Sequence, residues 1–130
     1  MNFIDTNILV YAAEPGDRNR SIAAQVIDAG GIVSVQVLNE LANVLRSKKR
    51  LDWNEVVEAL DLVIDLLDVA PVALDTHKLA IDLALRYGIH IYDANILAAA
   101  LLAGCDTLYS EDMQNGLLVE GRLRVVNPFA

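Results

Sequence analysis

Four acidic residues are the candidates for chemistry in this chain: Asp5, Glu40, Asp93 and Asp112. Carboxylates gathered at one point can hold a divalent cation. Hard oxygen donors without thiolates select Mg²⁺ or Mn²⁺ over Zn²⁺. A carboxylate-held metal pair activates water and stabilises charge during phosphodiester cleavage. Taken singly, Asp5, Asp93 and Asp112 also have a bland reading, because Asp commonly caps helices and turns. Glu40 resists that reading. It lies three residues after Val37 and four before Val44, so it shares their apolar helix face. A buried carboxylate without a counter-charge costs several kcal/mol. Arg46, the one nearby cation in sequence, falls on another face, which leaves a divalent metal as the simplest partner.

Other chemistries find less support. His77 and His90 have no zinc-type spacing and read as surface or packing residues. Cys105 follows Gly104 in apolar surroundings without a basic neighbour, which does not make a reactive thiol. No Ser–His–Asp order or Gly-rich phosphate loop is present. A phosphotransfer enzyme with Asp5 as nucleophile would want a second acid two residues on, and that position is Asn7.

Something must bring the four acids together, since no short repeat spaces them. Short β-prone runs alternate with longer helical patterns, the mark of βαβ units and a parallel sheet. Strands are expected at Asn2–Ile4, Ile32–Val35, Thr107–Tyr109 and Arg124–Val126, with Val69–Val72 left open. Helices are expected over Asn7–Ala13, Asn19–Ala29, Gln36–Lys48, Trp53–Leu67, a segment capped by Asp75 and ending at Tyr87, and Tyr92–Ala103. Asp52 and Glu55 form an approximate capping box, with Leu51 and Val56 spaced as its staple. Tyr92–Ala103 is nearly all apolar, hence buried on most sides. Strand C-termini and helix N-termini share one edge of such a sheet, so all four acids converge where open α/β folds bind ligands.

The chain has 130 residues and reads as one domain, 1–130. It carries 18 acidic and 10 basic residues for a net charge of −8, which taken alone argues against a polyanionic partner. Charge placement can override the total. Arg46, Lys48, Lys49 and Arg50 crowd one short stretch, and Arg18 and Arg20 form a smaller pair; each cluster is either a phosphate contact or a solvated helix end. One cysteine cannot form an internal disulfide, the N-terminus has no basic n-region, and no apolar run is long enough to span a bilayer. A soluble cytoplasmic domain is the expectation. The helix from Trp53 carries a second apolar stripe, Ala59, Leu62 and Leu66, beyond its main face, which predicts self-association.

Four segments carry a family resemblance. Phe3-Ile4-Asp5-Thr6-Asn7-Ile8-Leu9-Val10-Tyr11 resembles the opening of a PIN domain, and Ser34-Val35-Gln36-Val37-Leu38-Asn39-Glu40 its second acidic motif. Tyr92-Asp93-Ala94-Asn95-Ile96-Leu97-Ala98-Ala99-Ala100 resembles the third, and Leu108-Tyr109-Ser110-Glu111-Asp112-Met113-Gln114-Asn115-Gly116 the fourth. All four occur in order, across essentially the whole chain. The resemblance implies a three-layer α/β/α fold on a central parallel sheet and Mg²⁺- or Mn²⁺-dependent ribonuclease activity. A stand-alone domain of this length is similar to the VapC toxins, which dimerise and are neutralised by a VapB antitoxin. The same resemblance makes Asp5, Glu40, Asp93 and Asp112 metal ligands, and gives Thr6 or Ser110 a part in positioning water or a ligand. Position 114, where the family often has a further Asp, is Gln114; the adjacent Glu111 is either its substitute or an exposed turn acid. The rival reading is a PIN-like scaffold that binds RNA or a protein while cutting weakly or not at all.

Overall fold

The computed structural model describes residues 1–130. Its elements run β1 (Asn2–Ile4), α1 (Thr6–Ala13), α2 (Arg18–Asp28), β2 (Ile32–Ser34), α3 (Val35–Ser47) and α4 (Trp53–Leu66). They continue with β3 (Asp68–Ala70), α5 (Leu74–Tyr87), α6 (Ile91–Leu102), β4 (Thr107–Tyr109), β5 (Leu118–Val119) and β6 (Leu123–Val126). The six strands form one sheet in the order β3-β2-β1-β4-β6-β5, parallel except for β5. Helices cover this sheet in a three-layer α/β/α arrangement. No helix is long and apolar enough to cross a membrane.

The core follows the apolar pattern. Phe3 and Ile4 of β1, Val33 of β2 and Leu108 of β4 are fully buried in the middle of the sheet. On α6, Ala94 and the run Ile96–Leu101 are buried, as a helix without a polar stripe requires. That helix packs mainly on α5.

Helix ends mostly obey the local code. Glu55 N–H donates to Asp52 Oδ1 at 2.9 Å and Asp52 N–H to Glu55 Oε1 at 3.2 Å, so the capping box ahead of α4 is reciprocal. Gly88 ends α5 in the left-handed conformation, φ 65°. Asp75 is a correction. It lies inside the first turn of α5, whose cap position is Ala73. Thr76 Oγ1 accepts from Ala73 N–H at 3.0 Å and does the capping that Asp75 was expected to do. In the first turn, Asp75 still meets the positive end of the helix dipole favourably.

Two strands were not legible beforehand. Segment Asp68–Ala70 pairs with β2 and settles the open Val69–Val72 region, displaced towards the N-terminus. The short strand β5 pairs antiparallel with β6 through a two-residue register that periodicity does not reveal. On α4 only Val56 is fully buried, while Val57, Leu62, Ile64 and Leu66 stay exposed.

Candidate active site

The strand order reverses direction at β1. From there the chain builds outward through β2 and β3, then returns to place β4 on the other side. Such a switch point opens a crevice beyond the carboxyl ends of the two central strands. Register makes those ends level: Ile4 pairs with Tyr109, and Asp5 N–H donates to Tyr109 carbonyl oxygen at 3.0 Å. Asp5 and Ser110 therefore leave the sheet side by side.

Asp5 does two jobs. Its Oδ1 accepts from Thr6 N–H at 2.7 Å and caps α1, the bland role open to it from sequence. Its Oδ2 accepts from Ser110 Oγ at 2.8 Å and, at 3.5 Å, from Asn7 Nδ2. Only 4% of Asp5 is exposed. Burial pushes its carboxyl up from 3.8 to about 7, with the charges of Glu40 and Asp112 adding to the shift against the hydrogen bonds from Ser110 and Thr6. No cationic side chain is among its partners.

Glu40 is half-buried on α3, less enclosed than its shared face with Val37 suggests. Nor is it unpartnered: Thr6 Oγ1 donates to its Oε2 at 2.9 Å and Gln36 Nε2 to its Oε1 at 3.1 Å. Both donors are neutral, so its charge has no protein counter-ion. Asp93, in the first turn of α6, is half-buried and its carboxyl is raised, by burial first and by the charges of Asp112 and Glu40, against His90. Asp112 is exposed on the loop after β4 and accepts from Asn7 Nδ2 at 3.0 Å.

Asn7 is the site residue that sequence reasoning passed over. Its Nδ2 lies within hydrogen-bonding distance of Asp5, Ser110 and Asp112, and its Oδ1 accepts from Glu111 N–H at 3.3 Å. One amide thus ties the end of β1 to the loop after β4. Its place two residues after Asp5, a turn-adjacent position beside the first motif acid, was the available signal. Ser110, fully buried, completes the tie by donating to Asp5 while Asp112 N–H donates to its Oγ at 3.2 Å. Tyr11 holds the neighbouring acid through a hydrogen bond from its hydroxyl to Glu111 Oε1 at 3.0 Å.

As the side chains stand, no three of the carboxylates, imidazoles and thiols are close enough to hold a metal ion. Asn7 instead places amide hydrogens between Asp5 and Asp112. The donor set nevertheless suits a hard divalent cation: carboxylate oxygens, neutral hydroxyl and amide supports, and mutual repulsion that a cation would relieve.

The basic stretch divides. Lys48 and Lys49 line a groove of about 740 Å³ that also contains Thr6, Asn7, Glu40 and Asp112. Arg46 is engaged elsewhere: its Nη1 donates to Leu51 carbonyl oxygen at 3.0 Å and its guanidinium lies 5.2 Å from the Trp53 ring centre. Arg50 closes the α3–α4 turn in left-handed backbone, φ 56°, and does not line the groove. Lys49 pairs with Glu14. Lys48 has no ion-pair partner and is the freest of the four to meet a phosphate. Arg18 of the smaller pair donates to Phe129 carbonyl oxygen at 3.2 Å. His90 caps α6, its Nδ1 accepting from Tyr92 N–H at 3.1 Å, and burial pushes the Cys105 thiol up, in keeping with an inert role.

Several solved structures share this architecture. VapC20 of Mycobacterium tuberculosis, described as a toxin that cleaves the sarcin–ricin loop, matches with TM-score 0.71 at 21% identity, over 86% of this chain and 90% of its own. A toxin–antitoxin complex from Klebsiella pneumoniae matches with TM-score 0.74 at 21% identity, covering 98% of both chains. FitAcB from Neisseria gonorrhoeae matches with TM-score 0.74 at 20% identity, covering 99% of both. At these identities the likeness is one of fold. No curated protein sequence matches significantly. The PIN domain model matches residues 3–114, a span that begins in β1 and ends just past Asp112, with all four acids inside it. A matched segment that long, on a sheet whose switch point gathers those acids, means that the chain belongs to the PIN domain family.

Proposed function

We propose that this protein is a metal-dependent ribonuclease and the toxin of a type II toxin–antitoxin pair. The observation that carries the proposal is Asp5: a buried carboxylate raised to about 7, ringed by Glu40 and Asp112 with no protein cation beside it. Asp5, Glu40, Asp93 and Asp112 would hold Mg²⁺ or Mn²⁺, with Thr6 steadying Glu40 and Ser110 and Asn7 steadying Asp5 and Asp112. When bound, the cation would supply Lewis acidity and an activated water for phosphodiester hydrolysis. The protein's own part is to fix the carboxylates through neutral donors and leave their negative charge for the metal. Lys48 and Lys49 would draw the RNA backbone into the groove of an otherwise acidic molecule.

The fold shared with the Klebsiella pneumoniae toxin–antitoxin complex supports a VapB-like antitoxin as partner. A homodimer belongs to the same reading and is supported by the exposed Val57, Leu62, Ile64 and Leu66 of α4.

Purified protein should cleave unpaired or looped RNA with Mg²⁺ or Mn²⁺ present and stop when EDTA is added. Cleavage that continues undiminished in EDTA, followed on a labelled RNA by gel, would overturn the metal mechanism. A second expectation tests the supports. Asn7→Ala removes the amide between Asp5 and Asp112 and frees the loop after β4. Cleavage should fall about 10- to 100-fold, the usual effect of losing a group that orients metal ligands. The half-buried position of Asn7 should keep the loss of stability to about 1–2 kcal/mol, read by thermal melting. Unchanged turnover would remove Asn7 from the site.

A further inference from the structure

The groove beside the acids has one feature that metal chemistry leaves unused. Of the seven aromatic residues in the chain, Tyr92 is the one whose ring lies largely in solvent without a stacked cation. It is 63% exposed. Trp53 is 59% exposed, but Arg46 sits over it and it does not line this groove. Tyr11 does line the groove, yet its hydroxyl is bound by Glu111 and its ring packs on Phe129 at 4.6 Å between centres. Tyr92 has His90 at 5.1 Å, tilted by 58°, which steadies the ring.

The same groove is lined by amides from α3. Gln36 and Asn39 before Glu40 and Asn43 after it line the groove on one face of the helix at three- and four-residue steps, with Lys48 beyond Asn43. Their hydrogen-bonding capacity is only partly used. Asn43 Oδ1 accepts from Ser47 Oγ at 3.2 Å, which leaves its NH₂ to donate. Gln36 donates to Glu40, which leaves its Oε1 to accept. The Asn39 side chain, exposed, has no partner. The α3 wall carries Glu40 as its one acid, while Glu14, Glu111 and Asp112 line other parts of the groove, so the amides and Lys48 form its least acidic stretch. From Glu40 to Lys48 the helix rises about 12 Å, enough for the chain of an extended nucleic acid to run past more than one residue.

We propose that Tyr92 and the amides of Asn39 and Asn43 form a subsite for one unpaired RNA base next to the scissile phosphate, with Lys48 on the backbone beyond it. A flat ring and free amide donors and acceptors in one groove recognise a base by its face and its edge together. A paired base offers neither, so the subsite selects single-stranded or looped RNA over duplex. The proposal deepens the ribonuclease reading and rests on it for the scissile phosphate only.

The test is binding of a short unstructured RNA to the full-length protein in EDTA, by fluorescence anisotropy, alongside a duplex of the same sequence. Tyr92→Ala should weaken binding of the unstructured RNA about tenfold, the stacking contribution of one base. Tyr92→Phe should restore it to within about twofold, since the ring and not the hydroxyl stacks. The duplex should bind more weakly and ignore both substitutions. An abasic position moved along the RNA should mimic Tyr92→Ala at one site and add nothing to it there. Lys48→Gln should flatten the salt dependence instead, by about one unit of slope. Tyr92 is solvent-exposed, so these variants should melt with the parent. If Tyr92→Ala binds RNA as the parent does while Mg²⁺-dependent cleavage is intact, the base subsite falls and the ribonuclease reading stands. If Tyr92→Ala weakens binding but no cleavage occurs with Mg²⁺ or Mn²⁺, the subsite stands and the ribonuclease reading falls.

Discussion

Asp5→Asn should abolish cleavage and, in the absence of metal, make the protein more stable at pH 8. The two effects have one cause. Unfolded, the carboxyl ionises near 3.8; folded, it ionises near 7. Between those values the native protein holds a proton that the unfolded chain has released. Stability therefore falls as pH rises through this window and stays lower above it. Each pH unit of such a difference corresponds to about 1.4 kcal/mol, and a carboxylate only 4% exposed has little solvent to screen it. Asn keeps the shape and the Thr6 cap while removing the charge, although its NH₂ must find Ser110 Oγ as an acceptor. A net gain of about 2 kcal/mol is expected at pH 8, or roughly 5–10 °C in melting temperature for a domain of this size. At pH 4.5 the parent is itself protonated at Asp5 and the advantage should shrink to almost nothing. Mg²⁺ should raise the melting temperature of the parent and leave the variant unmoved, because only a ligand bound by the folded state stabilises it. The same substitution should lower cleavage at least ~10³-fold, about 4 kcal/mol of transition-state stabilisation. Thermal melts at the two pH values, with EDTA and with Mg²⁺, read the first effect; a single-turnover assay reads the second. A variant that melts well below the parent at pH 8 in EDTA would make Asp5 a structural cap and no more.

Gly31→Ala should be among the most damaging single substitutions outside the acids. A Cβ on Gly31 would stand 2.7 Å from the carbonyl oxygen of Asn2 and 3.3 Å from Cδ1 of Ile4. The first of these is backbone, in the strand that delivers Asp5, and it cannot swing aside as a side-chain end can. Either β1 and β2 separate at the point where Phe3 pairs with Ile32, or the turn before β2 distorts. Overpacking against main chain costs about 3 kcal/mol, which for this domain means a drop of more than about 10 °C. Gly30 is the internal control. Its φ is +83°, but an added Cβ would meet nothing within 4 Å, so Gly30→Ala should lose only the left-handed penalty of about 1 kcal/mol. Equal melting temperatures for the two variants would refute the close-approach argument.

Much of this fold was open to reading because its signals are local. Asp52 and Glu55 satisfy each other within one helical turn, and Gly88 needs only its own missing side chain to end α5. The all-apolar run of α6 could be buried nowhere but the interior. Two things hid the rest: a neighbouring residue competing for the same role, or a deciding contact far off in the chain. Asp75 had the right residue type to cap α5, but Thr76, one position on, reached the free N–H of Ala73. Strands β3 and β5 are two or three residues long, too short for a period of two to show, and exist because a neighbour offers hydrogen bonds.

The site divides along the same line. Sequence alone determined which four acids could gather, because a parallel sheet puts strand ends and helix starts on one edge. It also set the chemical kind of ligand they would suit. Tertiary structure decided which acid bears the strain, and it is Asp5 rather than Glu40. Helical spacing gave Glu40 an apolar face, but that face ends at the groove, where Thr6 and Gln36 reach it. Asp5 looked like an ordinary cap, yet it leaves the sheet at the end of β1, beside Ser110 at the end of β4. The packing around these two central strand ends leaves it only 4% exposed. Desolvation depends on everything packed around a group, and partners such as Ser110, 105 residues away, have no trace in the local sequence.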